Sequence, residues 1–217
     1  MKLLTETLSK GITELGLELS EAQQIQLLDY LDLLLKWNRV YNLTAINSHQ
    51  SGVVRHLLDS LAIAPYIDGE RLLDVGSGGG LPGIPLAIAY PEKQFVLLDS
   101  NSKKTRFLVQ AKGELGLDNL NVVHSRIEEF RAERPFNTSL SRAFASLKDI
   151  VTLTGHLLDE GGALMAMKGQ IDLAELADIP QDYRVEKKIE LAVPGLQQEQ
   201  RHLLIIRHVR HDNTDIY

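Results

Sequence analysis

Cysteine is absent from the 217-residue chain, which excludes disulfides, thiolate metal sites and cysteine nucleophiles by inspection. No apolar run approaches the length that spans a bilayer. The opening residues, Met1-Lys2-Leu3-Leu4-Thr5-Glu6, mix charge into a helical pattern and lack the apolar stretch and small-residue cleavage site of a secretory signal. A soluble cytoplasmic protein is expected. Internal repeats, low-complexity stretches and linkers are also missing. The length suits one domain over residues 1–217, with a helical extension over about 1–65 packed on a core of 66–217. Nor is there a surplus of positive charge: 23 Lys and Arg stand against 29 Asp and Glu, for a net −6. That balance argues against an indiscriminate nucleic-acid binder, because phosphate contacts supply most non-specific affinity. Local basic groups remain at Lys36 and Arg39, Arg55 and His56, Lys103, Lys104 and Arg106, Arg142 and Lys148, and Lys168. Each of these by itself also suits a solvated surface.

What the chain does have is glycine in one place. Leu72-Leu73-Asp74-Val75-Gly76-Ser77-Gly78-Gly79-Gly80-Leu81-Pro82-Gly83 runs from an apolar strand into a glycine turn with an acid just before it. Glycine supplies positive φ and removes the Cβ that blocks close approach, and a following helix offers unpaired N–H groups. The turn therefore suits a nucleoside-bearing ligand. A dinucleotide fingerprint needs glycine at the sixth position of the turn, where this chain has Leu81. A phosphate loop needs a Lys-Ser/Thr pair after the glycines, and none follows. What remains, acidic-x-Gly-x-Gly-x-Gly from Asp74 to Gly80, resembles the first motif of Rossmann-like methyltransferases that bind S-adenosylmethionine. The next strand, Phe95-Val96-Leu97-Leu98-Asp99, ends in a carboxylate about twenty residues on, where such folds place the acid that accepts the ribose hydroxyls. Asp99 is either that acceptor or a cap for the helix starting near Ser102, or both.

Along the chain, Ser20 with Gln23 forms a capping-box pattern. Leu27, Leu28, Leu31, Leu34 and Leu35 then make the stripe of a packed helix. A second helix is expected over roughly 50–64, with Val54, Leu57, Leu58 and Leu61 on one side. Strands and helices then alternate: strand 71–75, helix from about 82, strand 95–99, helix 103–115, strand 120–124, a short helix at 127–130, strand 138–142, helix 147–158 and strand 162–167. Alternation of this kind means a parallel sheet with right-handed crossovers. Runs 183–193 and 202–209, separated by Pro194-Gly195, read as an antiparallel pair at the sheet edge. The fold class expected is α/β, a Rossmann-like class I methyltransferase sheet, mostly parallel with its last strand antiparallel.

Several landmarks occur in order: Lys36-Trp37-Asn38 with Tyr41-Asn42-Leu43-Thr44, Arg55-His56-Leu57-Leu58-Asp59-Ser60, the glycine segment ending Leu81-Pro82-Gly83-Ile84-Pro85, Leu97-Leu98-Asp99-Ser100, Ser141-Arg142-Ala143-Phe144-Ala145, and Lys168-Gly169. Together they make the chain similar to the bacterial small-subunit ribosomal RNA methyltransferase G family, also called glucose-inhibited division protein B, over nearly its whole length. The resemblance implies transfer of a methyl group from S-adenosyl-L-methionine to N7 of a guanine in 16S rRNA, with the RNA or the small subunit as partner. It maps cofactor contacts onto Gly76 and Leu81, the pair Ile127 and Glu128, and Arg142; Gly78 and Asp99 join them from the turn and strand patterns. Read without the resemblance, Ile127 is equally a core residue, Glu128 a first-turn acid and Arg142 half of a salt bridge. One departure is Gly79, where the family often has Pro or Ala, and it leaves the rigidity of the loop in question.

Arg142, Arg55, His56 and Lys168 are candidates for gripping phosphates or orienting the base, although His56 also suits a buried, hydrogen-bonded ring. No general base is expected, because guanine N7 carries a lone pair and no proton, so no catalytic residue is assigned. In agreement, the Asn/Asp-Pro-Pro-aromatic motif of amino-group methyltransferases is absent, and without cysteine, cysteine-dependent carbon methylation is excluded. His202, His208 and His211 lack accompanying carboxylates or cysteines at ligand spacing, so no metal is expected. A monomer is expected. The rival classes are a small-molecule or protein methyltransferase, which the acidic balance favours, and a non-enzymatic ribosome-assembly module.

Overall fold

The computed structural model describes residues 2–142 and 145–209. Ala143 and Phe144 of the Ser141–Ala145 landmark, and His211 with the rest of the tail, lie outside the described residues. Seven strands form one sheet: β1 (Arg71–Val75), β2 (Gln94–Asp99), β3 (Leu120–His124), β4 (Phe136–Arg142), β5 (Leu158–Lys168), β6 (Tyr183–Glu190) and β7 (His202–His208), in the order β3-β2-β1-β4-β5-β7-β6. Pairing is parallel except that β7 runs antiparallel to both β5 and β6. The strand order reverses between β1 and β4, and ligands of open α/β sheets bind outside the carboxyl ends of the strands at such a point.

Register brings the predicted residues to that edge. Val75 lies beside Leu98 and Ser141, Asp99 beside His124, Arg142 beside Met167, and Lys168 opposite His202. The sheet interior is nearly continuous in Leu, Val and Phe, as strands covered on both faces require; Leu72, Leu73, Phe95, Leu97 and Leu120 are fully or almost fully buried.

The N-terminal helices α1 (Lys2–Glu14) and α2 (Glu21–Tyr41) share one apolar cluster with the sheet, in which Leu8, Leu27, Leu31 and Leu34 meet Leu72, Ile84, Leu108 and Phe107. The capping box at Ser20 and Gln23 is present. The same Gln23 side chain donates to the carbonyls of Ile88 and Ala89 at the end of the helix Gly83–Ala89, and Gln26 donates at 2.6 Å to Leu115 O at the end of the helix Ser102–Leu115. Two orphan carboxyl-terminal helix ends are thus satisfied by α2.

Three expectations need correction. The helix expected over 50–64 is broken into His49–Gly52, a π-helical stretch Val53–Leu58 and a turn Asp59–Leu61. Both windings bury the same leucines, so the apolar pattern does not separate them, and such π segments concentrate at functional sites. The short helix expected at 127–130 is a single turn closed by Phe130 N–H to Arg126 O at 3.1 Å, since so few residues fix more dihedrals than they gain hydrogen bonds. The strand expected over 183–193 ends at Glu190, ahead of Pro194-Gly195. The helix Leu173–Ala177, capped by Asp172, was not expected.

Candidate active site

At the end of β1 the chain turns through Gly76, with φ 66°, a left-handed conformation that side chains with a Cβ resist. Gly76 N–H donates to Leu98 O at 2.9 Å, and Gly78 N–H to Asp99 Oδ2 at 2.9 Å. The other oxygen of Asp99 accepts Asn101 N–H at 2.8 Å. Asp99 therefore holds both the glycine turn and the start of the next helix, and Asn101, not Asp99, caps that helix. Each carboxylate oxygen still has a second lone pair for a hydroxyl.

Asp74 lies behind the turn. It is buried, and its Oδ2 accepts Gly83 N–H at 2.9 Å, where a Cβ on residue 83 would sit 2.7 Å from that oxygen. Burial pushes its carboxyl up to about 7 against the opposing pull of the Gly83 amide and of Arg142. From α2, Tyr30 Oη donates to Gly79 O at 2.6 Å, and Leu34 fills the space beside Gly79, with its Cδ1 3.0 Å from where a Cβ would stand. The loop is thus fastened at the departing glycine, and Pro or Ala there would have to displace Leu34.

Two clefts open on this edge. The first is lined by Val75, Gly76, Leu98, Asp99, Ile127 and Glu128, with Ser100, Asn101, Lys104, Ser125, Arg126 and Leu153 around them. It gathers four of the seven predicted cofactor residues. Ile127 is mostly buried against Leu73, Val75 and Leu98, while Glu128 is exposed. Gly78 reaches the cleft through Asp99, and Leu81 is buried in the core under the turn. A carboxylate for paired hydroxyls, apolar walls for a flat ring and a bare-backbone turn are the donor set that an adenosine-bearing cofactor requires.

The second cleft lies over the carboxyl ends of β4 and β5 and is lined by Thr44, Arg55, His56, Asp59, Arg142, Lys168, Arg201 and His202, among others. It collects Arg55, His56, Lys168 and Arg142, the four candidates for gripping phosphates or orienting the base; Arg142, also expected at the cofactor, lines this cleft and not the first. The charges form a continuous chain. Arg55 makes a two-pronged ion pair with Glu199; Glu199 Oε2 also accepts from Arg201 at 3.0 Å; Arg201 Nε donates to Asp59 Oδ1 at 3.0 Å; and Arg142 donates to Asp59 Oδ2 at 3.1 Å. Burial raises the Asp59 carboxyl even though both arginines pull it down. Lys168 is paired with Glu175 at 2.6 Å, and Glu175 also accepts Leu147 N–H at 2.8 Å. None of these cations is free.

The His56 ring is almost fully buried. Its Nε2 lies 2.8 Å from Thr44 Oγ1 and its Nδ1 3.1 Å from Arg55 O. These partners assign a neutral tautomer that donates from Nδ1 to the carbonyl and accepts at Nε2 from the hydroxyl. Burial first, and Arg142 second, lower its pKa to about 4. Its folded value lies below the unfolded one, so its contribution to stability is complete above about pH 6.5 and lost as pH falls through 4. The drop from 6.5 to about 4 corresponds to about 3 kcal/mol. In denaturation series between pH 7 and 4, His56→Gln should lose less stability than the parent by about that amount; parallel curves would refute it.

Asp59, Glu199, Arg201 and Tyr30 complete the site without having been assigned to it from sequence. Among the described residues no group of three His, Asp or Glu side chains is placed to hold a metal. His202 Nδ1 is 2.7 Å from Gly169 O, and His208 packs edge-on against Tyr183.

Comparison with known proteins agrees with this geometry. Residues 23–204 match the family described as rRNA small subunit methyltransferase G. The ribosomal RNA small subunit methyltransferase G of Pseudomonas aeruginosa (strain LESB58) is 57% identical over 203 residues, covering 93% of this chain and 94% of that protein. Among solved structures, the ribosomal protein L11 methylase of Lactobacillus delbrueckii subsp. bulgaricus aligns with TM-score 0.54 at 16% identity over 76% of this chain and 81% of its own. A Pyrococcus abyssi tRNA (uracil-54, C5)-methyltransferase in complex with S-adenosyl-L-homocysteine aligns with TM-score 0.51 at 16% identity, over 76% of this chain and 40% of its own. At such identities these two show the fold alone.

Proposed function

The chain belongs to the rRNA small subunit methyltransferase G family, and on that premise we propose how its two clefts carry out transfer of a methyl group from S-adenosylmethionine to N7 of a guanine in 16S rRNA. The observation that carries this reading is the meeting, at one switch point, of a bare-backbone turn with Asp99 beside it and a second cleft rimmed by arginines.

S-adenosylmethionine supplies a methyl group on a positively charged sulfur. Asp99 and the Gly76 turn would hold it by the ribose and the backbone, with Ile127 as an apolar wall for its ring. Arg142 sits at the end of the strand next to the turn and faces the second cleft, where it orients the incoming base. Arg55 and Lys168 meet RNA phosphates, and His56 fixes Thr44 and the Arg55 backbone as the wall of that cleft. The chain acts as a monomer in the cytoplasm, where small subunits are assembled. No helix among the described residues is long and apolar enough to cross a membrane.

When bound, the cofactor would supply its methyl group to the N7 lone pair, and the chain's part is to hold the two in line. No proton moves, so no base is needed, and neutral His56 is not asked to be one. Alignment of donor and acceptor is the available source of rate, and it is worth about 7 to 11 kcal/mol in well-oriented systems.

Single-turnover methylation at saturating cofactor should therefore be flat from about pH 6 to 9. Saturation keeps any titration of Asp74 near 7 from entering through cofactor affinity. The product should be N7-methylguanosine, read by reduction and aniline cleavage. A different modified nucleoside, or a steep basic limb removed by changing His56, Glu128 or Asp59, would overturn the reading.

A further inference from the structure

Arg55 and Arg201 both line the second cleft, and in the free protein a carboxylate of the same chain already bridges them. Glu199 lies on the irregular segment 191–201 that joins β6 to β7. Its two oxygens receive both terminal nitrogens of Arg55, and one of them receives Arg201 as well. A carboxylate held by a two-pronged guanidinium and a second arginine has the donor geometry of a bound phosphate.

The two other acids that pair with cations of the cleft differ from it. Asp59 is buried and is committed through both oxygens to Arg142 and Arg201. Glu175 accepts Leu147 N–H as well as Lys168, so it is built into the fold. The Glu199 carboxylate has arginines alone as side-chain partners, and its side chain is 37% exposed, as is that of Arg55 at 38%. Unlike Asp59 it is well exposed, and unlike Glu175 it can leave without stranding a backbone amide. Arg55 is its main partner and holds its carboxyl below the usual range, so it is an anion at working pH.

We propose that Arg55 and Arg201 form a phosphate subsite for the RNA backbone and that Glu199 is its resident stand-in, displaced when RNA enters. This rests on the rRNA reading above and adds to it a phosphate position and an internal competitor. The chain of five charged groups carries three arginines against two acids. When Glu199 swings out, the pair facing the solvent has one more unit of positive charge to offer. The competitor keeps a reactive arginine pair closed to stray anions, and a single free phosphate must do the whole work of opening it. An RNA that also fills the neighbouring cleft has further contacts to contribute.

Glu199→Gln removes the competitor's charge and keeps its shape. With wild-type protein methylating rRNA in the same assay, the variant should lower the apparent KM for RNA by about threefold to tenfold and steepen the slope of log affinity against log salt by about one. Cofactor affinity should not change, because Glu199 lies outside the first cleft. Adding Arg55→Ala to Glu199→Gln should erase the gain. An unchanged or raised KM for RNA in a variant that melts like the parent would overturn the inference and leave the rRNA reading standing; a wild type that methylates no rRNA would instead strike the reading itself. If Glu199→Gln melts several degrees lower, arginine Nε–H NMR of the wild type decides: titrated rRNA should shift the Arg55 and Arg201 signals, and unmoved signals overturn the subsite.

Discussion

Gly76→Val should raise the Kd for S-adenosylmethionine by about 100-fold or more, equivalent to about 3 kcal/mol, and abolish methyl transfer at ordinary cofactor concentrations. Two effects add. A β-branched residue held at φ 66° carries backbone strain of about 1 to 3 kcal/mol, and it adds bulk at the wall of the cleft proposed to hold the cofactor. The turn has little freedom to relax, because Gly76 N–H is bonded to Leu98 O and Gly78 N–H to Asp99.

Asp99→Ala should be damaging by another route. It removes charge-assisted hydrogen bonds worth about 1.5 to 3 kcal/mol, and it also releases the Gly78 and Asn101 amides that shape the turn before any ligand arrives. Calorimetry on both variants separates the two causes. A Kd close to wild type for either would remove the first cleft from the cofactor's path. Loss of binding accompanied by a large fall in Tm for Asp99→Ala, with Gly76→Val still melting normally, would show that Asp99 acts mainly through the turn.

The parts of this site that depend on neighbouring residues were legible in the sequence. The apolar run into Gly76 and the acid ending the next strand announce themselves by spacing, and parallel register then delivers Val75, Asp99, Arg142 and Lys168 to one edge. What escaped is contact across long separations. Arg55 meets Glu199, 144 residues away, and Asp59 meets Arg201, 142 residues away; nothing local at Arg55 says that its charge is spoken for. Arg55 and Lys168, candidates from sequence for gripping phosphates, both line the second cleft but are each already ion-paired, because a sequence reports a charge and not its partner.

Likewise the apolar spacing of Val54, Leu57, Leu58 and Leu61 suits an α-helix as well as the π-helical stretch that presents Arg55 and His56. Tyr30 had no role assigned from sequence; its hydroxyl on Gly79 O shows that α2 supports the glycine turn. The helical extension is therefore part of how the glycine loop is held.

The buried acid at the centre of the arginine chain leads to the second large effect. Asp59→Ala should raise the apparent KM for RNA at least about tenfold, equivalent to about 1.4 kcal/mol, with cofactor Kd unchanged, and should lower stability by about 1 to 3 kcal/mol. Removing one member of a fully buried ion pair costs about 3 to 5 kcal/mol, because the partner is left charged and dry. Here two terms reduce that figure. Arg142 and Arg201 keep partial access to water, with side chains 24% and 22% exposed. The desolvation that raises the Asp59 carboxyl is also a cost of folding, and it disappears with the carboxylate. What survives is the repulsion between two guanidinium groups that cannot shed a proton, both of which then lose the oxygen that aimed them into the cleft. Asp59→Asn should recover part of the stability, since its carbonyl serves one arginine, but its amide faces the other and the KM defect should persist. Denaturant unfolding together with RNA and cofactor titrations tests this, and Asp59 would cease to be the residue that positions Arg142 and Arg201 if Asp59→Ala bound RNA like the wild type while losing stability.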